Sequence, residues 1–398
     1  MRVLLTTRGS SGHVTPLAPF GHALGRAGHE VLVAAQWRFE ENVERTGLPF
    51  APLGAPPDEE WMALLPQFAR LGLDEGHDRM IAEFFGDLDV RAMLPRLREL
   101  ADEWRPDVIV RESWEYASTI VAEERGIPLA RVGLGVAGVE AVSERAVAPA
   151  VDAARIAAGL PADPDGELMR ATPYLSAMPS ALEDPAVPLP PRTLRFRTAE
   201  VPPPAVPDAE PLVYVSFGSV TASAHLPYYP ALYRAAIDAL SPLPVRLLVT
   251  VGEDRDLGEL GPLPANVTAE RWVPQDDVLA HASAVVTHGG HGSTLGALAH
   301  GVPLVVVPLF ALDQWFNAEA VERAGAGVAL GSDRLTRLAI EPPSEATTAA
   351  LRPAVERLLS APGPRRAARA IADEMRALPP VDEAVPALEA IARERNAA

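Results

Sequence analysis

Short apolar runs alternate with longer stretches of helical periodicity along most of the chain. Val3 to Thr6 is apolar, the small residues Gly9-Ser10-Ser11-Gly12 follow, Pro16 to Ala27 repeats its apolar positions at helical spacing, and Glu30 to Ala35 is apolar again. That succession predicts a strand, loop, helix, strand unit. Asp107 to Val110, Tyr116 to Arg125 and Pro128 to Val132 repeat it. Strands that are apolar throughout bury both faces, and a helix between two of them leaves the second parallel to the first, so a parallel sheet covered by helices is expected. Between the two units lie a turn-rich stretch, Pro49 to Pro57, and the aromatic-bearing, helical-looking Trp61 to Trp104, which reads as an insertion.

From Leu194 to Pro211 the periodicity stops, and Pro202-Pro203-Pro204 with Pro207 marks a semi-rigid linker. The grammar then restarts with strand Leu212 to Phe217, turn Gly218-Ser219, helix Tyr228 to Leu240 and strands Val245 to Val251, Ala284 to Thr287 and Leu304 to Val307. With 398 residues the chain exceeds the roughly 250 to 300 at which a single core stops growing. The expectation is an α/β protein of two Rossmann-like, doubly wound parallel-sheet domains facing a cleft. Residues 1–200 form the first domain, 201–211 the linker, 212–380 the second, and 381–398 a helical tail docked on the first. The halves share an order of elements but no sequence period.

Composition narrows the chemistry. The chain has 35 basic and 53 acidic residues, net charge −18, and no basic run that would neutralise a phosphate backbone, so nucleic acid is not an expected partner. It has no cysteine, which removes disulfides, thiolate metal sites and thiol nucleophiles together. Met1 leads straight into a strand-like run without a signal-peptide pattern, and no segment approaches the eighteen or so apolar residues of a membrane span. A cytoplasmic protein without a membrane partner is expected; the oligomeric state, a homodimer included, is left open.

The densest signal is Val285-Val286-Thr287-His288-Gly289-Gly290-His291-Gly292-Ser293-Thr294, an apolar strand that runs through a glycine-rich turn into a helix. Such a turn aims backbone N–H groups at an anion, and in an open parallel sheet it lies at the carboxyl end of a strand, where ligands bind. A diphosphate fits: Gly289, Gly290 and Gly292 allow close approach, while His288, Ser293 and Thr294 carry donors. The spacing of His288 and His291 without a third ligand is a weak metal signal. Gly9-Ser10-Ser11-Gly12 lacks the G-x-G-x-x-G spacing of a nicotinamide site.

Upstream stands Arg271-Trp272-Val273-Pro274-Gln275 and downstream Val302-Pro303, then Asp313-Gln314. The series W-x-P-Q, H-x-G-x-x-S-T, G-V-P and D-Q resembles the donor signature of family 1 glycosyltransferases, especially those that decorate natural products in actinomycetes. The resemblance implies the two-lobed GT-B fold and a nucleotide-sugar donor. It implies that Trp272 and Val273 meet the base, stacking on an indole face being worth about 1 to 3 kcal/mol. Gln275 would bond the nucleoside, Gly12, Ser219, His288, Gly289, Gly290, Gly292, Ser293 and Thr294 would surround the diphosphate, and Asp313 and Gln314 would hold sugar hydroxyls. For Trp272 a core position, and for Gln275 a helix cap, remain the bland alternatives. Where relatives that use UDP-sugars carry a ribose-binding glutamate this chain has Gly296, which points to a dTDP-sugar, whose deoxyribose lacks the 2′ hydroxyl.

His13 follows Gly12 at the end of the first strand, facing the expected cleft. An imidazole there has the properties of a base for an acceptor hydroxyl attacking with inversion. Asp107 to Glu112 ends in an acid at the matching place, and Glu112 would orient His13, although relatives often have aspartate there. The spacings Asp87/Asp89, Asp163/Asp165 and Asp254/Asp256 imitate a metal-binding pair, but none ends a predicted strand facing the turn, so no metal or other cofactor is expected. Trp61, Met80, Phe84, Phe85 and Trp114 suit a hydrophobic small-molecule acceptor, and equally suit a plain core. Two other classes stay open: a different nucleotide-sugar enzyme, such as an epimerase or a cell-wall transferase, and a non-catalytic sugar-nucleotide-binding helper.

Overall fold

A computed structural model describes the chain except residues 208, 219, 222–225, 332, 333, 335, 336 and 395–398. Ser219 therefore lies outside the described residues. Seven strands form the first sheet: β1 (Arg2–Thr6), β2 (Glu30–Gln36), β3 (Phe50–Leu53), β4 (Val108–Glu112), β5 (Leu129–Val132), β6 (Tyr174–Ser176) and β7 (Thr193–Arg195). Their order is β3-β2-β1-β4-β5-β6-β7, with every pairing parallel. Six strands form the second: β8 (Leu212–Ser216), β9 (Arg246–Thr250), β10 (Val267–Glu270), β11 (Ala282–Thr287), β12 (Leu304–Val306) and β13 (Gly327–Ala329). They run β10-β9-β8-β11-β12-β13, again all parallel.

Each order reverses once. The chain moves outward from β1 to β3, then returns to place β4 on the other side of β1; β11 likewise returns beside β8. Loops leaving two such neighbours diverge, and the gap at the carboxyl ends is where doubly wound sheets bind ligands. Both strongest sequence signals fall at these gaps: His13 after β1 and Glu112 ending β4, and the glycine-rich turn after β11.

The irregular stretch begins later than the pattern suggested. Leu194 and Arg195 belong to β7, and Phe196 is buried against the first core. A three-residue edge strand offers too few positions for period-two alternation to register. The proline-rich segment is pinned to the second domain, Ala205 N–H donating to His300 O (2.8 Å) and Val206 N–H to Ala280 O (3.1 Å).

After helix Pro362–Ala377 the chain crosses back. Arg197 and Pro380 form a parallel bridge, and Val381, Ala384, Val385, Leu388 and Ile391 join Val3, Leu5 and Phe20 in the first core. Contacts also cross between the domains elsewhere: Leu73 N–H donates to Arg337 O and Ala339 N–H to Leu71 O (both 2.9 Å), while Leu73 packs with Leu312 and Trp315. Helix Ala137–Ala157 meets helix Leu312–Arg323 so closely that a Cβ on Gly138 would stand 2.6 Å from the Phe316 ring.

Leu388 is fully buried in the docked tail. Leu388→Ala is expected to cost about 2 to 5 kcal/mol and to lower the thermal midpoint of the unfolding transition that includes the first domain.

Candidate active site

In the first domain Thr6 of β1 is paired with Arg111 of β4, so the loops after these strands open side by side. The first turns into the short helix Ser11–Val14. That turn places His13 Nδ1 3.0 Å from Glu112 Oε1, with His13 8% exposed and Glu112 fully buried. Glu112 Oε2 accepts the Trp114 N–H at 2.6 Å and Oε1 also the Arg8 N–H at 3.4 Å. Burial alone would raise this carboxyl, but the nearby His13 charge, the His13 hydrogen bond and the Trp114 N–H outweigh it and hold it below the ordinary glutamate range. An ionised carboxylate only accepts, so Nδ1 is the donor; in the neutral ring Nε2 is then the basic nitrogen.

A continuous aromatic wall starts at this histidine. Trp114 lies edge-on to His13 at 5.6 Å between ring centres, and Phe85 at 6.3 Å. Phe85 stacks with Trp114 (6.2 Å, 27° between planes), Phe84 lies 5.5 Å from Phe85, and Trp61 lies 4.4 Å from Phe84. Met80 opens the same segment and is half-buried. Met80–Asp89 is wound as a π-helix, whose wide turns are frequent at functional sites. Arg8, which the sequence did not single out, lies over Phe85 with its guanidinium carbon 3.9 Å from the ring centre.

In the second domain Ser216 pairs with Thr287, so the loops after β8 and β11 open together in the same way. Gly289 has φ +89°, and a Cβ there would meet Val306 Cγ1 at 2.7 Å and Gln314 O at 2.8 Å; only glycine fits. The His288 ring fills the space between the two loops, where a Cβ on Gly218 would stand 2.6 Å, and one on Gly290 2.5 Å, from its atoms. His288 Nδ1 lies 3.3 Å from Thr287 Oγ1. Burial pushes His288 and His291 each down to about 4, so both are neutral at physiological pH. Helix His291–Ala299 begins directly after the turn, and its first N–H groups have no partner within the helix. Thr294 Oγ1 and His291 Nδ1 are buried without a protein partner, Ser293 is half-buried, and Gly292 is exposed.

Asn317, absent from the sequence reading, holds the turn by donating Nδ2–H to Gly289 O at 2.8 Å. Gln314 spends its carbonyl oxygen on the Leu309 and Phe310 N–H groups (2.8 and 3.2 Å), which leaves its amide NH2 as the end free for a ligand. Asp313 occupies the first turn of helix Leu312–Arg323 and is half-buried. Burial, partly offset by its own N–H and that of Gln314, pushes it up to about 6.

Trp272 is 63% exposed, which removes the core alternative for it. Val273 packs at the edge of the core beside it. Gln275 is the first residue of helix Gln275–Leu279, directly after Pro274, and its Oε1 would lie 3.4 Å from a Cβ on Gly296. The three acid pairs have other work: Asp89 is paired with Arg8 and Gln36, Asp163 accepts the Glu167 and Leu168 N–H groups, and Asp256 accepts that of Gly258. Among the described residues no three His, Asp or Glu side chains gather as metal ligands, and no helix is long and apolar enough to cross a membrane. A cavity of about 470 Å³ between Thr119, Arg155 and Met169 opens beside Pro128 and Leu129, at the opposite end of the strands from His13.

Comparison with known proteins follows this geometry. Residues 22–158 match the family model described as erythromycin biosynthesis protein CIII-like, N-terminal domain, and residues 234–391 match its C-terminal counterpart. L-demethylnoviosyl transferase of Streptomyces niveus is 33% identical over 389 residues, covering 94% of each chain. 4'-Demethylrebeccamycin synthase of Lentzea aerocolonigenes is 31% identical, covering 98% of this chain and 99% of its own. Among solved structures, glycosyltransferase VinC in complex with dTDP superposes with a TM-score of 0.74 at 25% identity, covering 99% of this chain and all of its own.

Asp313 supplies a test of the cleft's electrostatics. A carboxyl raised to about 6 in the folded chain stabilises fully only below the ordinary aspartate range, and that stability is lost as pH rises through 6. Asp313→Asn is therefore expected to resist urea better than the parent at pH 7.5, by up to about 3 kcal/mol, with the gap narrowing toward pH 4.5. A gap independent of pH would contradict this.

Proposed function

The chain belongs to the erythromycin biosynthesis protein CIII-like family of actinomycete natural-product glycosyltransferases, and from that premise we propose its particular reaction. A deoxysugar passes from a dTDP donor to a hydroxyl of a hydrophobic aglycone, with inversion, without a metal ion, and with His13 as base. The observation that carries this reading is the pairing of two strand-order reversals. One presents the His13–Glu112 couple, the other a glycine turn and helix N-terminus suited to a diphosphate.

In this reaction His13 Nε2 takes the proton of the acceptor hydroxyl as its oxygen forms a bond to the anomeric carbon. The bond from that carbon to the diphosphate oxygen breaks, and dTDP leaves. Displacement in one step from the opposite face inverts the centre. Glu112 stabilises the imidazolium that forms, while the turn at Gly289 and Gly290, the first N–H groups of the following helix, and His288 receive the charge leaving on the diphosphate. Neutral His288 has a ring N–H to donate without needing a proton from solvent.

The donor side supports thymidine. Exposed Trp272 offers a face for the base, Gln275 reaches toward Gly296, and Gly296 brings no carboxylate to a ribose 2′ hydroxyl. The relative solved with dTDP bound points the same way. In this reading Asp313 and the amide of Gln314, whose carbonyl oxygen is already engaged, hold sugar hydroxyls, and the wall from Trp114 to Trp61 meets the aglycone. Neither an epimerase nor a binding helper has need of the acceptor wall beside His13.

Replacing His13 with alanine is expected to lower kcat by roughly two to four orders of magnitude, with dTDP affinity by calorimetry unchanged. An unchanged rate would remove the enzyme mechanism. Calorimetry should also rank dTDP above UDP, tighter UDP binding contradicting the donor assignment, and turnover should survive EDTA.

A further inference from the structure

The acceptor wall contains a cation for which the reaction as described has no use. Arg8 follows β1 by two residues, and its backbone N–H donates to Glu112, the residue that orients His13. Its side chain is 11% exposed and lies against Phe85 at 3.9 Å and Phe84 at 5.1 Å, measured from the guanidinium carbon to each ring centre. One of its five N–H donors is spent, Nε donating to Asp89 Oδ2 at 2.9 Å. The contact is single rather than bidentate: the other oxygen of Asp89 accepts from Gln36 Nε2 at 2.7 Å. Among the described residues Nη1 and Nη2 have no protein partner, and they are not among the polar atoms sealed from solvent. Of the ion pair, Asp89 is the more deeply buried member, so what the pair still exposes is mainly guanidinium.

A guanidinium edge with four open N–H donors, nine-tenths withdrawn from water and laid on an aromatic ring, favours an anionic or strongly polarised oxygen in the plane of a neighbouring ring. Phe85 and Trp114 stack nearly parallel next to it, which suits a flat occupant. We propose that Arg8 is the acceptor-recognition cation of this enzyme, and that its acceptor is a planar ring bearing an acidic hydroxyl, phenolic or enolic, rather than a saturated alcohol. The inference rests on the glycosyltransferase reading above. Arg8 binds the acidic oxygen; His13 still takes the proton of the oxygen that is glycosylated. Asp89, Glu112 and His13 are the other charged or titratable groups around it.

The test is equilibrium binding of 6-cyano-2-naphthol, 2-naphthol and 2-decalol, its saturated analogue, to the full chain saturated with dTDP. The parent should bind in the order cyanonaphthol, naphthol, decalol. Arg8→Gln should weaken cyanonaphthol roughly tenfold to a hundredfold while leaving decalol unchanged, which flattens the dependence on acidity. Arg8→Lys, which keeps the charge and the ion pair with Asp89 but loses the planar fork, should restore part of the preference. Equal weakening of all three probes by Arg8→Gln would make Arg8 a support for Phe85 and overturn the proposal, as would a parent that binds decalol as well as the naphthols. Failure of dTDP itself to bind would instead strike the donor reading, so the two failures are distinguishable.

Discussion

A carboxylate with no access to water has to be satisfied by protein donors, and Glu112 is satisfied from three directions. His13 supplies a ring N–H, and Trp114 and Arg8 supply backbone N–H groups. The constraint therefore fixes the histidine, the first ring of the aromatic wall and the arginine beside it in a single act. The turn that carries Glu112 is itself held from beneath. Fully buried Arg111 donates one nitrogen to the carbonyls of Glu112, Ser113 and Glu115 at 3.0, 2.7 and 3.0 Å. Removing a partner from such a site leaves a desolvated charge, which costs free energy.

The turn after β11 is built by the opposite device, the absence of side chains. Gly218 and Gly290 leave room for the His288 ring, and Gly289 lets the turn close onto Val306 and Gln314. Asn317 and Gln314 then lock that turn and its neighbour through backbone groups. The helix that carries Asp313 and Gln314 also carries Trp315 and Phe316, which pack against Leu73 and Val142 of the first domain. The helix that carries Asp313 and Gln314 is thus in contact with the domain that bears the aromatic wall.

Much of this was legible in the sequence. The βαβ grammar is written in apolar runs long enough to show their period, and His13, Glu112 and the His288 to Thr294 turn stand where such grammar ends its strands. The three-residue strands β6, β7 and β13 carry little pattern of their own, so that Leu194 reads as linker, whereas β12, equally short, shows through the apolar run Leu304 to Val307. Arg8 stayed hidden because its meaning depends on Phe85 and Asp89, brought together by the π-helical segment and visible only in three dimensions. Asn317 stayed hidden likewise, since its partner is a carbonyl oxygen and backbone acceptors leave no trace in residue type. Trp272 could not be separated from a core position by spacing; its exposure separates it.

A crystal structure of the chain with dTDP bound measures the central claim most directly. The account predicts the pyrophosphate on the N–H groups of the turn at Gly289 and Gly290 and of the first turn of helix His291–Ala299, beside His288, with the base against Trp272 and His13 Nε2 facing the open end of the diphosphate across the cleft. Nucleotide density anywhere else, or a pyrophosphate turned away from His13, would contradict it.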